Sequence, residues 1–358
     1  MARTILLMAG GTGGHVFPGL AVADYLRDMG WRVVWLGTQA GMEENLVAKR
    51  GYDMELINFS GLRGKNAMTW LTLPFRLSRA FLQSIKIIRR VKPDVVLGMG
   101  GYPAFPGGMM ASLLNKPLVI HEQNSIPGLT NKVLAKIADK VFLGFPQAMQ
   151  TDNDKTVFSG NPVRTEIAQI EIPEKRFSGR DKPLRLLIVG GSLGAQILNT
   201  TVPEALQRMP ENERPYVIHQ AGEKHLAELK QRYAALGVAG EQMAFIDDMA
   251  MQYANCDLVL CRAGALTIAE LAAAGVPSIL VPYPYAVDDH QTSNAKFLSD
   301  KNAAVLLPQK ELNPQKLMEL LLSMTREKLL GMAVAARAQA KPDATAFVAN
   351  ACIQISEA

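Results

Sequence analysis

The stretch TILLMAGGTGGHVFPGLAVADYL, residues 4–26, decides the fold of this chain. Its first residues, Thr4 to Met8, form an apolar run of the kind that becomes a buried strand. Glycines at positions 10, 11, 13 and 14 then predict a turn, and the run from Pro18 to Leu26 has helical spacing. A strand that turns through glycines into a helix directs backbone N–H groups outward at the positive end of the helix dipole. The stretch therefore predicts the opening of a parallel α/β sheet with an anion site at its carboxyl edge.

The same form returns in the second half, where the apolar run from Leu184 to Val189 leads into Gly190 and Gly191. Other short apolar runs alternate with helical patterns, as expected of βαβ units around parallel sheets. They lie at residues 32–36, 94–97, 117–120 and 140–143, and then at 216–218, 243–246, 258–260, 278–281 and 304–307. We therefore predict an α/β protein of two Rossmann-like domains whose parallel sheets face a deep cleft.

The domain boundary is predicted in the polar segment from Thr151 to Lys182, with a hinge near Gly160–Pro162. A chain of 358 residues exceeds the size at which a single core stops growing. We place the first domain at residues 1–163 and the second at residues 164–341. Residues 342–358 return to helical spacing, and we expect this tail to pack back on the first domain.

Composition and cysteine usage exclude several classes of protein. Hydrophobic residues make up 48% of the chain and charged residues 20%, which is typical of globular and not of disordered proteins. Cys256, Cys261 and Cys352 lack CxxC spacing and indicate reduced, cytoplasmic thiols. The N-terminus lacks a signal-peptide pattern, and no run approaches the roughly 18 apolar residues of a membrane span. We expect no cofactor, no bound metal and no nucleic-acid partner.

Two nucleotide-binding motifs and one metal motif are incomplete or poorly placed. A GxGxxG motif begun at Gly11 requires glycine at position 16, where Val16 stands, and the P-loop spacing is absent. The second strand ends in Gly37 and Thr38, without the acidic residue that binds a ribose in NAD enzymes. These departures disfavour a dehydrogenase, an ATPase and a kinase. Residues 152–154 (DND) have the form of a metal-binding DxD, but their place in the polar segment favours a solvated loop.

Three polar residues of the first half are candidates for chemistry. His15 directly follows the glycine turn, and imidazole is the side chain best suited to proton abstraction at neutral pH. A structural histidine is the alternative. Glu122 and Asn124 follow another strand, at the edge where open α/β sheets bind ligands, and are rival candidates.

The second half carries two turns suited to a diphosphate. Gly190–Ser192 and Gly264–Glu270 each follow a strand and begin a helix, so both can direct backbone N–H groups at phosphate oxygens. Glu270 lies about one turn into its helix, where a carboxylate could bind two ribose hydroxyls or only complement the helix dipole. Arg164 at the boundary and Gln291 after a later strand could contact a nucleotide-sugar; a solvated arginine is the alternative for Arg164.

Seven motifs, in order along the chain, resemble those of the bacterial N-acetylglucosaminyltransferases that convert lipid I into lipid II in peptidoglycan synthesis. They are residues 10–18 (GGTGGHVFP), 121–124 (HEQN), 160–164 (GNPVR), 190–192 (GGS), 245–249 (FIDDM), 264–270 (GALTIAE) and 289–291 (DHQ). The resemblance runs from the first strand to the tail.

That resemblance implies the GT-B fold, UDP-N-acetylglucosamine as donor and undecaprenyl-linked lipid I as acceptor. A general base must take the proton of the acceptor hydroxyl, which gives displacement with inversion at the anomeric carbon, and we expect His15 or Glu122 to be the catalytic group. Ile246 would hold the uracil edge through its backbone, and Glu270 would bind the ribose. The donor-site residues that the resemblance implies are Thr12, Gly13, Gly14, Asn124, Arg164, Ser192, Ile246, Ala265, Leu266, Thr267, Ile268, Ala269, Glu270 and Gln291.

A basic segment predicts contact with a membrane. Between Glu55 and Asp94 the chain has eight basic residues and no acidic one. Apolar residues and cations on one surface fit a lipid interface, so we expect the first domain to dock peripherally on anionic lipids, at the cytoplasmic face of the inner membrane. For residues 77, 81, 85 and 88, packing on the sheet is the alternative. The docking residues that we assign are Trp70, Phe75, Arg76, Arg79 and Lys86.

Two other classes of function stay open at this point. One is a GT-B enzyme of different specificity or a UDP-sugar epimerase. The other is a nucleotide-sugar sensor on the membrane that binds UDP-sugar without turnover.

Overall fold

The computed structural model describes residues 2–39, 41–59, 61, 71–146, 148–149, 154–181, 183–191 and 194–357. The chain divides into two compact units, and the N-terminal unit consists of residues 1–164 together with residues 342–358. The C-terminal unit consists of residues 165–341. None of the helices in the described ranges combines the length and the apolarity that a bilayer-spanning helix requires.

The N-terminal unit is built on a parallel sheet of seven described strands, in the order β3-β2-β1-β4-β5-β6-β7. Ile5 of β1 is paired with Val33 of β2 on one side and with Val95 of β4 on the other, so the strand order reverses at β1. The strands are β1 (Thr4–Ala9), β2 (Arg32–Thr38), β3 (Asp53–Ile57), β4 (Val95–Gly100), β5 (Leu118–Glu122), β6 (Lys140–Leu143) and β7 (Thr156–Phe158).

Helices cover this sheet, and the close packing of α1 on it depends on a glycine. Gly19 in α1 faces the sheet, where a Cβ would lie 2.8 Å from the Trp35 ring and 3.0 Å from Leu7. The fully buried Trp35 donates its indole N–H to the carbonyl of Ala9 at 2.9 Å. The helices are α1 (Gly13–Asp28), α2 (Met42–Lys49), α3 (Leu73–Val91), α4 (Ala104–Leu113) and α5 (Leu129–Leu134), with the tail helix Ala344–Ile355.

The tail helix belongs to the N-terminal unit. Val348, Ala349 and Cys352 are fully buried in the same hydrophobic cluster as the strand residues of β1 and β4. The Phe347 ring meets the Phe142 ring edge to face, with centroids 5.8 Å apart. The tail therefore completes the core of the first unit.

The C-terminal unit repeats the arrangement. Its parallel sheet has six described strands in the order β10-β9-β8-β11-β12-β13, and the order reverses at β8. The strands are β8 (Arg185–Val189), β9 (Tyr216–Gln220), β10 (Glu241–Met243), β11 (Leu258–Cys261), β12 (Ser278–Leu280) and β13 (Ala304–Leu306). The helices are α6 (Thr165–Ala168), α7 (Pro173–Phe177), α8 (Gln196–Arg208), α9 (Leu226–Ala235), α10 (Met249–Asn255), α11 (Ala265–Ala274), α12 (His290–Ser299), α13 (Pro314–Leu322) and α14 (Arg326–Arg337), after which the tail helix is α15.

The predicted fold class is confirmed, and the differences are local. The sequence analysis missed β3 and β7, which lie at the two edges of the first sheet and are partly exposed. Strand β10 ends at Met243, where the apolar run 243–246 had predicted it to begin. The predicted hinge residues Gly160–Pro162 are buried within the N-terminal unit.

Candidate active site

The carboxyl edge of the N-terminal sheet brings His15 to the point where the strand order reverses, beside β4 and β5. The helix α1 begins at Gly13, five residues before the predicted start, because Thr12 O accepts the N–H groups of His15 and Val16 at 3.1 and 3.2 Å. His15 thus lies in the first helical turn and is half-buried. Open α/β sheets bind ligands at this point.

His15 is held by two neighbours. Its Nδ1 lies 2.8 Å from Oε1 of Gln123. On another side is Gly100, where a Cβ would come within 2.9 Å of the imidazole. Gly100 has a φ of +99°, which side chains disfavour, so glycine meets both the backbone and the packing requirement. Gln123 was not predicted as a partner of His15, because nothing in the sequence pairs two residues so far apart in the chain.

Glu122, the rival candidate, occupies a different environment. Its side chain is almost fully buried at the end of β5. Oε1 accepts the N–H of Asn124 at 2.9 Å, and Oε2 accepts Gly128 N–H at 3.0 Å and Asn131 Nδ2 at 2.9 Å. These contacts anchor the loop after β5, including the half-buried Asn124. They favour a structural role for this carboxylate, and its catalytic role stays a prediction.

A buried carboxylate lies beneath the first glycine turn. Glu43, in the first turn of α2, is fully buried and accepts the N–H of Gly11 at 3.1 Å. It also accepts the N–H and the hydroxyl of Thr38, at 3.0 and 2.7 Å. Because its Oε2 already accepts the N–H of Gly11, one backbone donor of this turn is not available to a bound anion. Glu43 was not predicted as a site residue, although its position after a strand and a glycine could have indicated it.

The second glycine turn opens onto a cavity in the C-terminal unit. This cavity has a volume of about 790 Å³ and lies at the carboxyl ends of β8 and β11, where the order of that sheet reverses. Gly194 has a φ of +76°, and a Cβ there would lie 2.0 Å from the carbonyl oxygen of Ala221. Two glycine turns and two predicted donor-site residues meet in the lining, which includes Gly190, Gly191, Arg262, Gly264, Thr267, Tyr283, Gln291 and Gln309. Ser192 lies outside the described residues.

Arg262 supplies the positive charge among the described residues that line this cavity. It directly follows β11 and donates from Nη2 to Gln309 Oε1 at 2.7 Å. Nη1 donates to the carbonyls of Val281 and Pro282, each at 3.1 Å. Burial lowers the pKa of Arg262, yet a guanidinium remains charged in proteins. Arg262 was not predicted as a site residue, although a cation between a strand and a glycine turn could have indicated a phosphate contact.

The predicted ribose and base contacts lie around α11. Glu270 is buried, and its Oε2 accepts the Tyr253 hydroxyl at 3.3 Å. The buried Ile246 lies in the loop after β10. Within α11, the side chains of Ala265 and Ile268 are buried, Leu266 and Ala269 are half-buried, and Thr267 lines the cavity. Roles for these residues stay predictions.

Gln291 and Arg164 complete the predicted donor-site residues. Gln291 lies in the first turn of α12 and accepts the N–H of Tyr283 at 2.9 Å. The turn before it places both Asp288 and Asp289 at a φ of 52°, and such left-handed residues cluster at ligand sites. Arg164 is half-buried at the end of the N-terminal unit.

No metal cluster is formed by the described residues. Groups of three His, Cys, Asp or Glu side chains that could hold an ion are absent there. Asp152 and Asn153 of the DND motif lie outside those residues. The three cysteines are buried, and burial raises the pKa of the Cys256 thiol to about 12.

Four of the five predicted docking residues lie on α3. Phe75 is 76% exposed, and Arg79 and Lys86 are exposed on the same face of the helix. Arg76 is half-buried and, with Phe75 and Arg79, lines a cavity of about 610 Å³ beside β2 and β3. Trp70 lies outside the described residues.

Two further features of α3 refine the prediction. Leu71, just before α3, is 77% exposed, and Leu82 within the helix is 61% exposed, although Leu82 was not predicted to lie on this surface. By contrast, Ile88 is buried and Phe81 packs on Phe105, with ring centroids 6.1 Å apart. The packing alternative therefore holds for these two residues.

Two family models match the chain. The N-terminal domain model of glycosyltransferase family 28 matches residues 5–143, and the C-terminal domain model of the same family matches residues 185–348.

Similarity to individual proteins extends along nearly the whole chain. The UDP-N-acetylglucosamine--N-acetylmuramyl-(pentapeptide) pyrophosphoryl-undecaprenol N-acetylglucosamine transferase of Nitrosospira multiformis is 63% identical over 99% of each chain. The protein of that name from Nitrosomonas europaea is 61% identical over 98% of each chain. The crystal structure of Acinetobacter baumannii MurG is 39% identical, with a TM-score of 0.84, over 98% of this chain and 99% of that one. A UDP-N-acetylglucosamine 2-epimerase from Listeria monocytogenes shares the fold at 16% identity and a TM-score of 0.63.

Proposed function

Since the chain belongs to glycosyltransferase family 28, and within it to the transferases that make lipid II, we propose that it moves N-acetylglucosamine from UDP-N-acetylglucosamine to lipid I. The product is lipid II, the undecaprenyl-linked precursor of peptidoglycan. The observation that carries this proposal is 63% identity, over 99% of each chain, to a transferase named for that reaction. A likeness to epimerases at 16% identity supports the shared fold alone.

The C-terminal unit binds the donor in this proposal. Its cavity combines two glycine turns, the N-terminus of α11 and the charge of Arg262, which together suit the two negative phosphates of UDP. Thr267 and Gln291 add polar side chains at the lining. Glu270 binds the ribose hydroxyls, and the backbone of Ile246 holds the uracil edge. By contrast, Glu43 beneath the first glycine turn disfavours a second diphosphate there.

The N-terminal unit supplies the base. A sugar hydroxyl is a weak nucleophile, so a positioned group must remove its proton as it attacks the anomeric carbon. His15 takes that proton from the C4 hydroxyl of the muramyl residue. The leaving UDP is stabilised by the N–H groups and the guanidinium of the donor cavity. A single displacement of this kind inverts the anomeric configuration.

The exposed face of α3 docks the protein on the membrane that holds lipid I. Phe75, Leu82 and Leu71 enter the headgroup region while Arg79 and Lys86 meet anionic phosphates. Arg76 and Arg79 both line the cavity beside β2 and β3, so a phosphate group bound there lies next to two guanidinium groups. Docking of this kind is peripheral, at the cytoplasmic face of the inner membrane, where anionic lipids are the partner.

Product analysis separates this proposal from its alternatives. The protein is incubated with UDP-N-acetylglucosamine alone and then with lipid I added, and the products are identified by mass spectrometry and by NMR of the new glycosidic bond. We expect a β-linked disaccharide lipid, formed only when lipid I is present. Conversion of the donor alone into an epimer, or donor binding without any product, would contradict the proposal.

A further inference from the structure

A chain of hydrogen bonds runs from the backbone to His15 through two buried side chains. His121 Nε2 lies 3.0 Å from the carbonyl oxygen of Gly160, and His121 Nδ1 lies 3.0 Å from Nε2 of Gln123. The Oε1 atom of Gln123 then lies 2.8 Å from His15 Nδ1. The side chains of His121 and Gln123 are almost fully buried. The donor site and the membrane surface use neither of these two residues.

We propose that Gln123 and His121 are positioning residues that hold His15 in the tautomer protonated on Nδ1, which leaves the lone pair of Nε2 to accept the acceptor's proton. This inference rests on the base role of His15 proposed above. It assigns a task to the first and third residues of the HEQN motif, whose burial keeps them from contacting a substrate directly.

The direction of the chain follows from its fixed end. A carbonyl oxygen only accepts, so His121 must carry its proton on Nε2 to bond with Gly160. Burial lowers the pKa of His121 to about 4, and the ring is therefore neutral near pH 7. A neutral imidazole with a proton on Nε2 has a lone pair on Nδ1, so Gln123 must present its NH₂ group to that atom.

A second contact fixes the Gln123 amide independently. Its Nε2 also lies 3.1 Å from the backbone carbonyl of His121, which can accept a hydrogen bond but cannot donate one. The reverse orientation would set two oxygens against each other. Since the NH₂ group faces His121, the amide oxygen faces His15, and His15 Nδ1 must donate to it.

The surrounding backbone holds the amide and the ring in place. Asn161 Nδ2 donates to the carbonyl of Gln123 at 3.0 Å, and the Ser159 hydroxyl donates to Gly160 O at 2.8 Å. Gly100 leaves room for the imidazole, since a Cβ there would lie 2.9 Å from it. The buried residues 159–161 thus serve to anchor the chain that ends at His15.

NMR of the wild-type, full-length protein tests the tautomer directly. The chain has five histidines, so ¹⁵N-histidine labelling gives few ring signals, and those of His15 are identified by their loss in His15→Asn. Spectra are recorded at about pH 8, above the ordinary titration range of histidine side chains. We expect a protonated Nδ1 and an unprotonated Nε2 for His15. The opposite tautomer, or an even mixture of the two, would overturn the proposal.

Two variants of one residue separate positioning from packing. Gln123→Met removes all three polar contacts of the side chain, to His15 and to His121, so we expect the His15 tautomers to mix and kcat to fall by at least about tenfold with unchanged donor affinity. Gln123→Glu keeps an oxygen for His15 Nδ1 but sets its second oxygen against the lone pairs of His121, so we expect it to retain the tautomer at a cost in stability and to keep more turnover than the Met variant. If the Glu variant loses as much as the Met variant while both stay folded, the role is structural and the proposal fails.

Internal controls make these outcomes distinct. His219 is buried in the C-terminal unit, where its ring nitrogens contact Tyr233 and Asn199, and its signals should not change in either variant. If wild-type His15 shows the expected tautomer but His15→Ala keeps full turnover, the hydrogen-bond chain stands and the base role fails. If Gln123→Met keeps full turnover while His15→Ala loses it, the base role stands and the positioning role fails.

Discussion

His15 and Glu122 were rival candidates in the sequence, and their surroundings now separate them. His15 is half-buried and its Nδ1 has one hydrogen-bond partner in the contacts described above, whereas both oxygens of Glu122 accept hydrogen bonds from the loop that follows β5. A carboxylate that anchors a loop affects stability as well as turnover. A base affects turnover alone.

Glu122→Gln tests this distinction. The amide would place an NH₂ group against an existing N–H donor, so we expect a loss of about 1–3 kcal/mol in the free energy of unfolding. Turnover should fall with it, because the loop carries Gln123. Urea denaturation measures the first effect and a transfer assay the second. A variant of wild-type stability with strongly reduced kcat would instead support Glu122 as the catalytic group.

Glu270 is the residue by which the ribose assignment can be tested. Under the proposed ribose assignment, Glu270→Ala removes a charge-assisted hydrogen bond to a ribose hydroxyl, worth about 1.5–3 kcal/mol, so UDP affinity should fall roughly 10- to 150-fold by calorimetry. Tyr253→Phe is the matched control, since it removes only the hydroxyl that donates to Glu270. Equal losses in the two variants would mean that Glu270 acts on the nucleotide through packing, not through direct contact.

Single residues were predictable where local pattern decides their place, and not where distant pairing does. His15, Thr267 and Gln291 follow strand ends or glycine turns, which sequence shows. The Gln123 contact joins residues 108 positions apart, and Glu43 meets the glycine turn from 32 positions away. Local sequence periodicity does not predict such contacts, because they depend on which strands become neighbours in the sheet.

Among the helices, α3 has apolar residues both on the face that packs inward and on the face that is exposed. Ile88 and Phe81 pack inward, which was the alternative to membrane contact for these two residues, while Phe75 and Leu82 face outward with Arg79. The outward apolar groups break the simple rule of a polar outer face. Phe75 was assigned to the docking surface from the sequence, whereas Leu82 was not, because spacing alone does not show which apolar residues of a helix pack on a sheet.

The docking role of α3 is tested by charge reversal. Replacing Arg76, Arg79 and Lys86 by glutamate should abolish co-sedimentation with anionic vesicles, since each cation contributes about 1 kcal/mol at such a surface. UDP affinity should not change. The matched control reverses three exposed cations of the C-terminal unit, Arg208, Lys224 and Lys230.

Salt and lipid composition give the complementary readout. Wild-type binding should weaken as salt rises and should be slight on neutral vesicles. If the α3 variant and the control variant bind anionic vesicles equally well, the docking surface lies elsewhere.

For the whole molecule, the recurrence of apolar runs and glycine turns was enough to predict two parallel sheets. The edge strands of the first sheet escaped prediction because β3 is partly polar and β7 lies within the polar segment that was interpreted as a domain boundary. The boundary between the units lies after Arg164, one residue from the expected position. The start of α1 was misplaced because glycines at a helix N-terminus look like a turn in sequence.

The tail helix α15 provides a test of how the N-terminal unit is completed. Val348→Asp puts a charge among fully buried residues, so we expect the unit to lose at least about 3 kcal/mol of stability. Asn350→Asp, at an exposed site of the same helix, is the control and should change little. Calorimetric unfolding measures both variants. Full stability of Val348→Asp would show that the tail is dispensable to this core.

Sugar transfer to the lipid acceptor is the central claim, and one assay tests it most directly. Label is followed from UDP-[¹⁴C]-N-acetylglucosamine into lipid by the wild type and by His15→Ala, at saturating donor and with donor affinity measured separately. We expect labelled lipid II from the wild type, a rate about 10² to 10⁴ times lower for His15→Ala, and equal donor affinity for both. No labelled lipid from the wild type would contradict the assigned reaction, and equal rates for the two proteins would contradict the assigned base.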